Sequence, residues 1–286
     1  MDRTADDMGD LHPFDEIDEA DFKVLAELVE RRCGIHLAPP KRSMVSGRLR
    51  TCARHAGLGS VKAYCHYIFK DGGLDDEWPA ILDAITTNKT DFFRESEHFD
   101  FLIQEAVPEL LAGGARELSV WSAACSTGPE PYSIAMVLDQ AAHKLGFSFH
   151  VYASDISHEV LNKAQRAIYT ADAVEPVPES LRSAYVMVSK DRHAHLVRMA
   201  PELRRMVTFG HHNLLSTGSP WRRNMDIVFC RNVLIYFTRP TQEVVIRNLC
   251  SQMRVGGYLF LGHSESTMSL SLPIKQIRPS VYRRES

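Results

Sequence analysis

The sequence lacks any apolar run near the roughly 20 residues that a membrane-crossing helix needs, so none of its 286 residues suggests a spanning segment. Its first ten residues, MDRTADDMGD, are acidic and have no apolar core, which argues against a secretory signal and sets the expectation of a cytoplasmic protein. There is no C-x-x-C pair. Cys33, Cys52, Cys65, Cys125, Cys230 and Cys250 are scattered along the chain, so a disulfide framework and a zinc site are both disfavoured. The plain reading is small buried hydrophobes in a reducing compartment. Internal repeats and long low-complexity tracts are missing too. Finally, residues 31–70 contain no Asp or Glu but nine Lys/Arg, whereas residues 1–30 hold eleven Asp/Glu and two Lys/Arg. Such asymmetry reads either as a surface for an acidic partner or as a solvated helical face.

What is present is ordinary globular material. A hydrophobic fraction of 44% with 24% charged residues excludes wholesale disorder. Residues 1–13 read as a mobile tail. Asp18 is placed to cap a helix carrying Phe22, Leu25, Leu28 and Val29, with Gly34 as its stop. A second helix runs from Pro39-Pro40 to Gly57. On it Val45, Leu49, Cys52 and Ala56 form the packing stripe, Arg42 and Arg48 flank the stripe, and Arg50 and Arg54 point away. Further helices are expected near Val61–Phe69 and Trp78–Ile85, so residues 14–90 read as a small helical domain.

From residue 91 to 286 the pattern changes. Helix Phe99–Leu111 is followed by strand Leu118–Ala124, helix Pro131–Leu145, strand Phe149–Ala153 and helix His158–Ile168. Strand Met225–Cys230, a helix from Pro240 to Met253 closed by Gly256-Gly257, and strand Tyr258–Leu261 complete the series. Strands alternating with helices predict an α/β fold with a mainly parallel sheet. Ala184–Val188, His195–Met199 and Met206–Phe209 break the rhythm and predict an inserted antiparallel β-subdomain near residues 184–210.

The strongest local motif is VWSAACSTGPEPYS, Val120 to Ser133, in which a strand runs through small residues into a helix. Such turns admit a ligand to the backbone at the carboxyl edge of a parallel sheet. The spacing matches neither the dinucleotide glycine motif nor a P-loop. Asp155, at the end of the next strand, is placed either to accept hydrogen bonds from a nucleoside or to cap the following helix.

Taken together, the motifs resemble the chemotaxis receptor methyltransferases, the CheR family. TTNKTDFFRE (Thr86–Glu95), WSAACSTG (Trp121–Gly128), Asn213-Leu214-Leu215 and FCRNVLIYF (Phe229–Phe237) occur in the family's order. Lys41-Arg42 with Arg48-Leu49 extends the likeness toward the amino terminus, and GGYLFLGHSE (Gly256–Glu265) extends it toward the carboxyl terminus. The resemblance implies an all-helical receptor-recognition domain followed by a Rossmann-like methyltransferase domain carrying the β-subdomain. It implies S-adenosyl-L-methionine as donor, S-adenosyl-L-homocysteine as product and receptor glutamates as acceptors. Carried over by position, Asn88, Thr90 and Arg94 match the methyl and carboxylate end of the cofactor, Glu130 its methionine portion and Asp155 its nucleoside. Asn213, Leu214, Arg231 and Asn232 match the rest of the pocket, and Tyr236 lies near the transferred methyl. Arg94 and Tyr236 are the candidate catalytic residues, and Arg42, Arg48, Arg50 and Arg54 the candidate partner-binding residues. The expected partner is the cytoplasmic domain of a methyl-accepting chemotaxis receptor, met by a monomer recruited to membrane arrays without inserting. No nucleic-acid motif is present.

Blander readings stand beside these. Arg94 can pair with Glu97 or with a nearby acid across the domain junction, Tyr236 can be an amphipathic core residue, and Asn232 can cap a turn. Other acceptors, or a non-catalytic cofactor-sensing scaffold, remain alternatives. His263 alone and the adjacent His211-His212 provide no metal set. Two departures from the family pattern matter. Pro129 stands where Glu is usual, removing a backbone donor from the loop. The turn Ser189–His195 has no glycine, so direct docking rather than tethering to a receptor peptide is expected.

Overall fold

The computed structural model describes residues 15–191, 195–218, 221, 224–265 and 272–285. The expected amino-terminal tail and the tip of the 189–195 turn lie outside these residues. The chain forms two compact units, Met1–Thr87 and Asn88–Ser286.

The first unit is helical: α1 (Glu19–Cys33), α2 (Arg42–His55), α3 (Val61–Lys70) and α4 (Leu74–Ile85). The Asp18 carboxylate accepts the Asp21 N–H at the start of α1, and Gly34 ends it in a left-handed conformation. Helix α2 buries Val45, Ser46, Leu49, Cys52 and Ala53, packing on α3 and α4. Helix α4 begins four residues before the expected Trp78. Pro79 resembles a helix start, but its missing N–H would have bonded only to the exposed Asp75, whose carbonyl water can satisfy.

The second unit opens with α5 (Glu97–Phe101) and α6 (Val107–Ala112), joined by a π-helical turn at Leu102–Ala106. Then follow β1 (Glu117–Ala123), α7 (Pro129–Leu145), β2 (Ser148–Asp155), α8 (His158–Arg166), β3 (Ile168–Thr170), α9 (Glu179–Tyr185), β4 (Val186–Val188), β5 (Leu196–Met199), α10 (Pro201–Arg205) and β6 (Val207–His211). Strand β7 (Met225–Cys230), helix α11 (Arg239–Gln252) and strands β8 (Met253–Leu261), β9 (Ile274–Arg278) and β10 (Val281–Arg284) complete it. The main sheet runs β6-β2-β1-β7-β8-β10-β9. Its first five strands are parallel, and β10 is antiparallel to both neighbours. Val120, Val151, Ile227 and Phe229 fill the sheet's buried core with Leu102, Ile134 and Leu138 from the helices.

Three details differ from the sequence pattern. The segment expected at Met206–Phe209 does not join the small ribbon. It pairs parallel with β2 as an edge of the main sheet. The ribbon's third strand is Ile168–Thr170, and its order is β3-β5-β4. The helix expected to run to Ile168 ends at Arg166, because Ala167, at φ 53, turns the chain out of α8. Gly256-Gly257 does not close α11. It lies within β8, where a Cβ on Gly257 would stand 2.9 Å from the Asp226 carbonyl, so glycine permits the close approach of β7. The expectation for cysteine holds: all six are free and buried, and burial raises the Cys33 thiol to about 11 and Cys65 to about 12. No helix among the described residues is long and apolar enough to cross a membrane.

Candidate functional site

The five parallel strands end on one side, and most of the candidate residues follow those ends. After β1 the backbone takes left-handed φ at Ala124 (64°), Ser126 (50°) and Gly128 (100°). Small side chains fit there because a left-handed residue crowds its own Cβ. At Gly128 the constraint is doubled, since an added Cβ would lie 2.8 Å from the Tyr169 hydroxyl. Tyr169 donates to the Thr127 carbonyl at 2.8 Å, holding the loop from the small sheet. Pro129 is the first residue of α7, where an N–H has no intrahelical partner, so proline removes no helical bond.

Asp155 ends β2 almost fully buried. Its carboxylate accepts the Ser126 N–H at 2.8 Å and the Ser157 N–H at 3.0 Å. The cap of α8 is Ser157 rather than Asp155. Asn213 and Leu214 follow β6, and Asn248 of α11 donates to the Leu214 carbonyl at 3.0 Å. The Asp155 carbonyl accepts the His212 N–H, joining the β2 and β6 ends.

Beneath the β1 and β7 ends lies a buried charge network. Glu130, in the first turn of α7, accepts from Ser122 Oγ at 2.7 Å and from Arg231 Nε at 2.8 Å. Arg231 also donates to His98 Nδ1 at 3.0 Å and lies 3.7 Å from a Glu95 oxygen. The rings of Phe99 and Phe229 flank its guanidinium. Burial, with Arg231 beside it, pushes His98 down to about 4, so its imidazole is neutral near pH 7. At Glu95 burial alone would raise the carboxyl. The Asn232 amide and Arg231 outweigh it and leave the group below its ordinary value. Ligand atoms of Glu95, His98 and His263 lie within 4.8 Å of one another. Arg231 bonds to one member of that group, and its charge repels a cation there.

Asn232, at φ 58, starts the loop after β7. Its side-chain amide donates to Glu95 Oε1 at 3.1 Å and its N–H to Glu265 Oε2 at 2.9 Å. Glu265 further accepts the Gly262 and Leu234 N–H groups, at 2.6 and 2.7 Å. This carboxylate organises the turn Leu234–Tyr236, on which Tyr236 sits half-buried. Burial raises its carboxyl despite those donors.

Segment 88–95 is tied to the strand ends. Ser126 Oγ donates to the Asn88 carbonyl at 2.9 Å, and the Phe93 N–H donates to Ser133 Oγ at 3.1 Å. Thr90 lies between these ties, half-buried. Arg94 makes one long hydrogen bond, 3.5 Å to the Lys89 carbonyl, and has no ion pair among the described residues. The bland reading that pairs it with Glu97 therefore does not hold.

The candidate arginines of the helical unit behave differently from one another. Arg48 donates to the carbonyls of Ala84, Ile85 and Thr86 at 2.9, 3.1 and 2.9 Å, capping the end of α4. Arg42 lies 3.5 Å from Glu16, Arg50 donates to the Asp15 carbonyl, and Arg54 is exposed. Glu95, His98 and Glu265 received no role from the sequence. Their partners are remote along the chain, and no spacing rule connects them.

Residues 20–86 match the CheR methyltransferase all-alpha domain, and residues 88–282 match the CheR methyltransferase SAM-binding domain. The chain belongs to the CheR methyltransferase family. It is 38% identical to the chemotaxis protein methyltransferase of Klebsiella aerogenes, over 89% of this chain and 86% of that one. Identity to the Escherichia coli chemotaxis protein methyltransferase is also 38%, over 87% and 85% of the two chains. Chemotaxis protein methyltransferase 2 of Pseudomonas aeruginosa is 36% identical over 92% of each. Like other members of the CheR family, this enzyme uses S-adenosyl-L-methionine. The small residues at Ala124–Gly128 follow the carboxyl edge of the sheet, where α/β folds bind ligands.

Proposed function

We propose that this methyltransferase esterifies glutamate side chains on the cytoplasmic helices of chemotaxis receptors, making carboxyl methyl esters during sensory adaptation. The observation that carries the reading is the contrast between two arginines. Arg231 is buried and neutralised by Glu130 and Glu95, whereas Arg94, in the segment tied to the strand ends, has no ion pair among the described residues. A guanidinium is suited to a carboxylate because its planar fork meets both oxygens.

When bound, S-adenosylmethionine supplies an electrophilic methyl group on a sulfonium. In this reading Asn88, Thr90, Glu130, Asp155, Asn213, Leu214, Arg231 and Asn232 hold it. A glutamate titrates near 4.3 and is ionised at neutral pH, so it needs no general base. The protein's task is to bring the carboxylate into line and exclude water. Arg94 orients it, Tyr236 adds a second donor, and a single long bond at Arg94 leaves the guanidinium free to steer without an entrenched ion pair. The helical unit, residues 14–90 in this assignment, recognises the receptor, with exposed Arg54 and its neighbours attracting an acidic helix. The protein acts in the cytoplasm as a monomer at receptor arrays.

The test is transfer of labelled methyl from S-adenosylmethionine to purified receptor cytoplasmic fragments, followed by mild base. Release of the label as methanol is the expected result. Base-stable label, or none on receptor despite cofactor binding, rejects glutamate esterification.

A further inference from the structure

Arg94 stands between two residues with left-handed backbones, Phe93 at φ 54 and Glu95 at φ 56. Neither is glycine or asparagine, the residues that take this conformation readily, so surrounding contacts must hold the turn. On the Phe93 side the N–H is held by Ser133 Oγ, whose hydroxyl donates to the Pro129 carbonyl in α7 at 2.8 Å. On the other side the holding group is the Glu95 carboxylate. Its Oε1 accepts from Asn232 Nδ2 at 3.1 Å and from the His263 N–H at 3.3 Å. Its Oε2 is buried without a hydrogen bond, 3.7 Å from Arg231 and 3.6 Å from His98 Nδ1. One side chain thus ties the residue after Arg94 to the loops after both β7 and β8. Those anchors are themselves fixed, because Glu265 holds the N–H groups of Asn232 and Gly262.

We propose that Glu95 is a positioning residue for methyl transfer: its carboxylate locks the strained Phe93–Glu95 turn that aims Arg94 at the acceptor carboxylate. This rests on the assignment of Arg94 to the acceptor. The negative charge matters as well as the hydrogen bonds. In Glu95→Gln the amide NH₂ would replace Oε2 and face the Arg231 donors, so the side chain must turn and give up its anchors. Glu265 still holds the Asn232 N–H when Glu95 is replaced, so the loop after β7 keeps its backbone anchor.

The test is a double-mutant cycle in the full chain, with label transfer to receptor fragments under single-turnover conditions and cofactor affinity by calorimetry. Glu95→Gln is expected to lower the transfer rate at least tenfold and to change the S-adenosylmethionine Kd less than threefold. In an Arg94→Ala background the same substitution is expected to cost less than threefold further, because its effect passes through Arg94. Glu95→Asp, which keeps the charge but shortens the reach, is expected to lose less than Glu95→Gln and carries the test should the glutamine variant not fold. An equal loss from either Glu95 substitution in both backgrounds overturns the proposal, as does a loss confined to cofactor affinity. Undiminished transfer by Arg94→Ala instead overturns the assignment of Arg94, a distinct result read from the same cycle.

Discussion

The strand-end side of the candidate site and the segment from Asn88 to Glu95 are built on opposite terms. At the strand ends each charge has a counterpart: Glu130 meets Arg231, Asp155 meets two backbone N–H groups, and Glu265 meets three. In the segment, Arg94 makes one long hydrogen bond and has no ion pair among the described residues, and the residues on both sides of it have left-handed backbones. The difference teaches where stability and chemistry reside. A buried network of paired charges is, in the proposed reading, a rigid bed for the cofactor. In the proposed reading, the cation of Arg94 is what the negatively charged acceptor meets.

The comparison can be broken most forcefully at Arg231. Replacing it with leucine leaves Glu130 and Glu95 buried without their cation, and a stability loss of about 3–5 kcal/mol is expected by urea unfolding. Arg94→Ala should change stability by no more than about 1 kcal/mol in the same assay, as for a half-buried side chain with no ion pair among the described residues. Similar losses for the two would erase the distinction.

Acid should act on the buried side next. The His98 imidazole titrates near 6.5 when unfolded and at about 4 when folded. Between those values the unfolded chain binds the extra proton. The contribution is therefore complete above about pH 6.5 and lost as the pH falls toward 4, by up to about 3 kcal/mol. Unfolding curves at pH 7.5, 6 and 5 should show a steeper decline in the wild type than in His98→Gln.

Gly128→Ala should lower stability by about 2 kcal/mol and weaken cofactor binding, because it combines backbone strain with a clash against the Tyr169 hydroxyl. Calorimetry with S-adenosylmethionine measures the second effect. The smallest contrast lies in the helical unit. Arg48→Ala should cost about 1–3 kcal/mol by uncapping α4, while Arg54→Ala should leave stability unchanged within about 0.5 kcal/mol. Only the Arg54 variant should reduce the salt dependence of receptor methylation without a stability change.

Helices and strands with a clear apolar period were legible in the sequence. Strand Met225–Cys230 stands where the pattern placed it, and Asp18 and Gly34 bound α1 as their chemistry demands. What periodicity cannot report is a pairing partner. Met206–Phe209 read as a ribbon strand because it lay near two others in sequence, yet its backbone pairs with β2. The glycine pair at 256–257 read as a stop because a glycine required by a close approach looks the same as one required by a turn. The candidate site followed the same division. Asp155 stands at the strand end where the α/β pattern put it. The bonds Arg231–Glu130 and Asn232–Glu95 span 101 and 137 residues, and no local rule foretells them. Arg48 shows the converse: a helical wheel set it beside the packing stripe, but only the fold reveals that the end of α4 occupies it.

The most direct test of the central claim is the single-turnover rate of methyl transfer to receptor fragments by Arg94→Ala at saturating S-adenosylmethionine. The account predicts a loss of at least 100-fold, about 3 kcal/mol of transition-state stabilisation, in a protein that remains folded and loaded with cofactor. Transfer at the wild-type rate would contradict it.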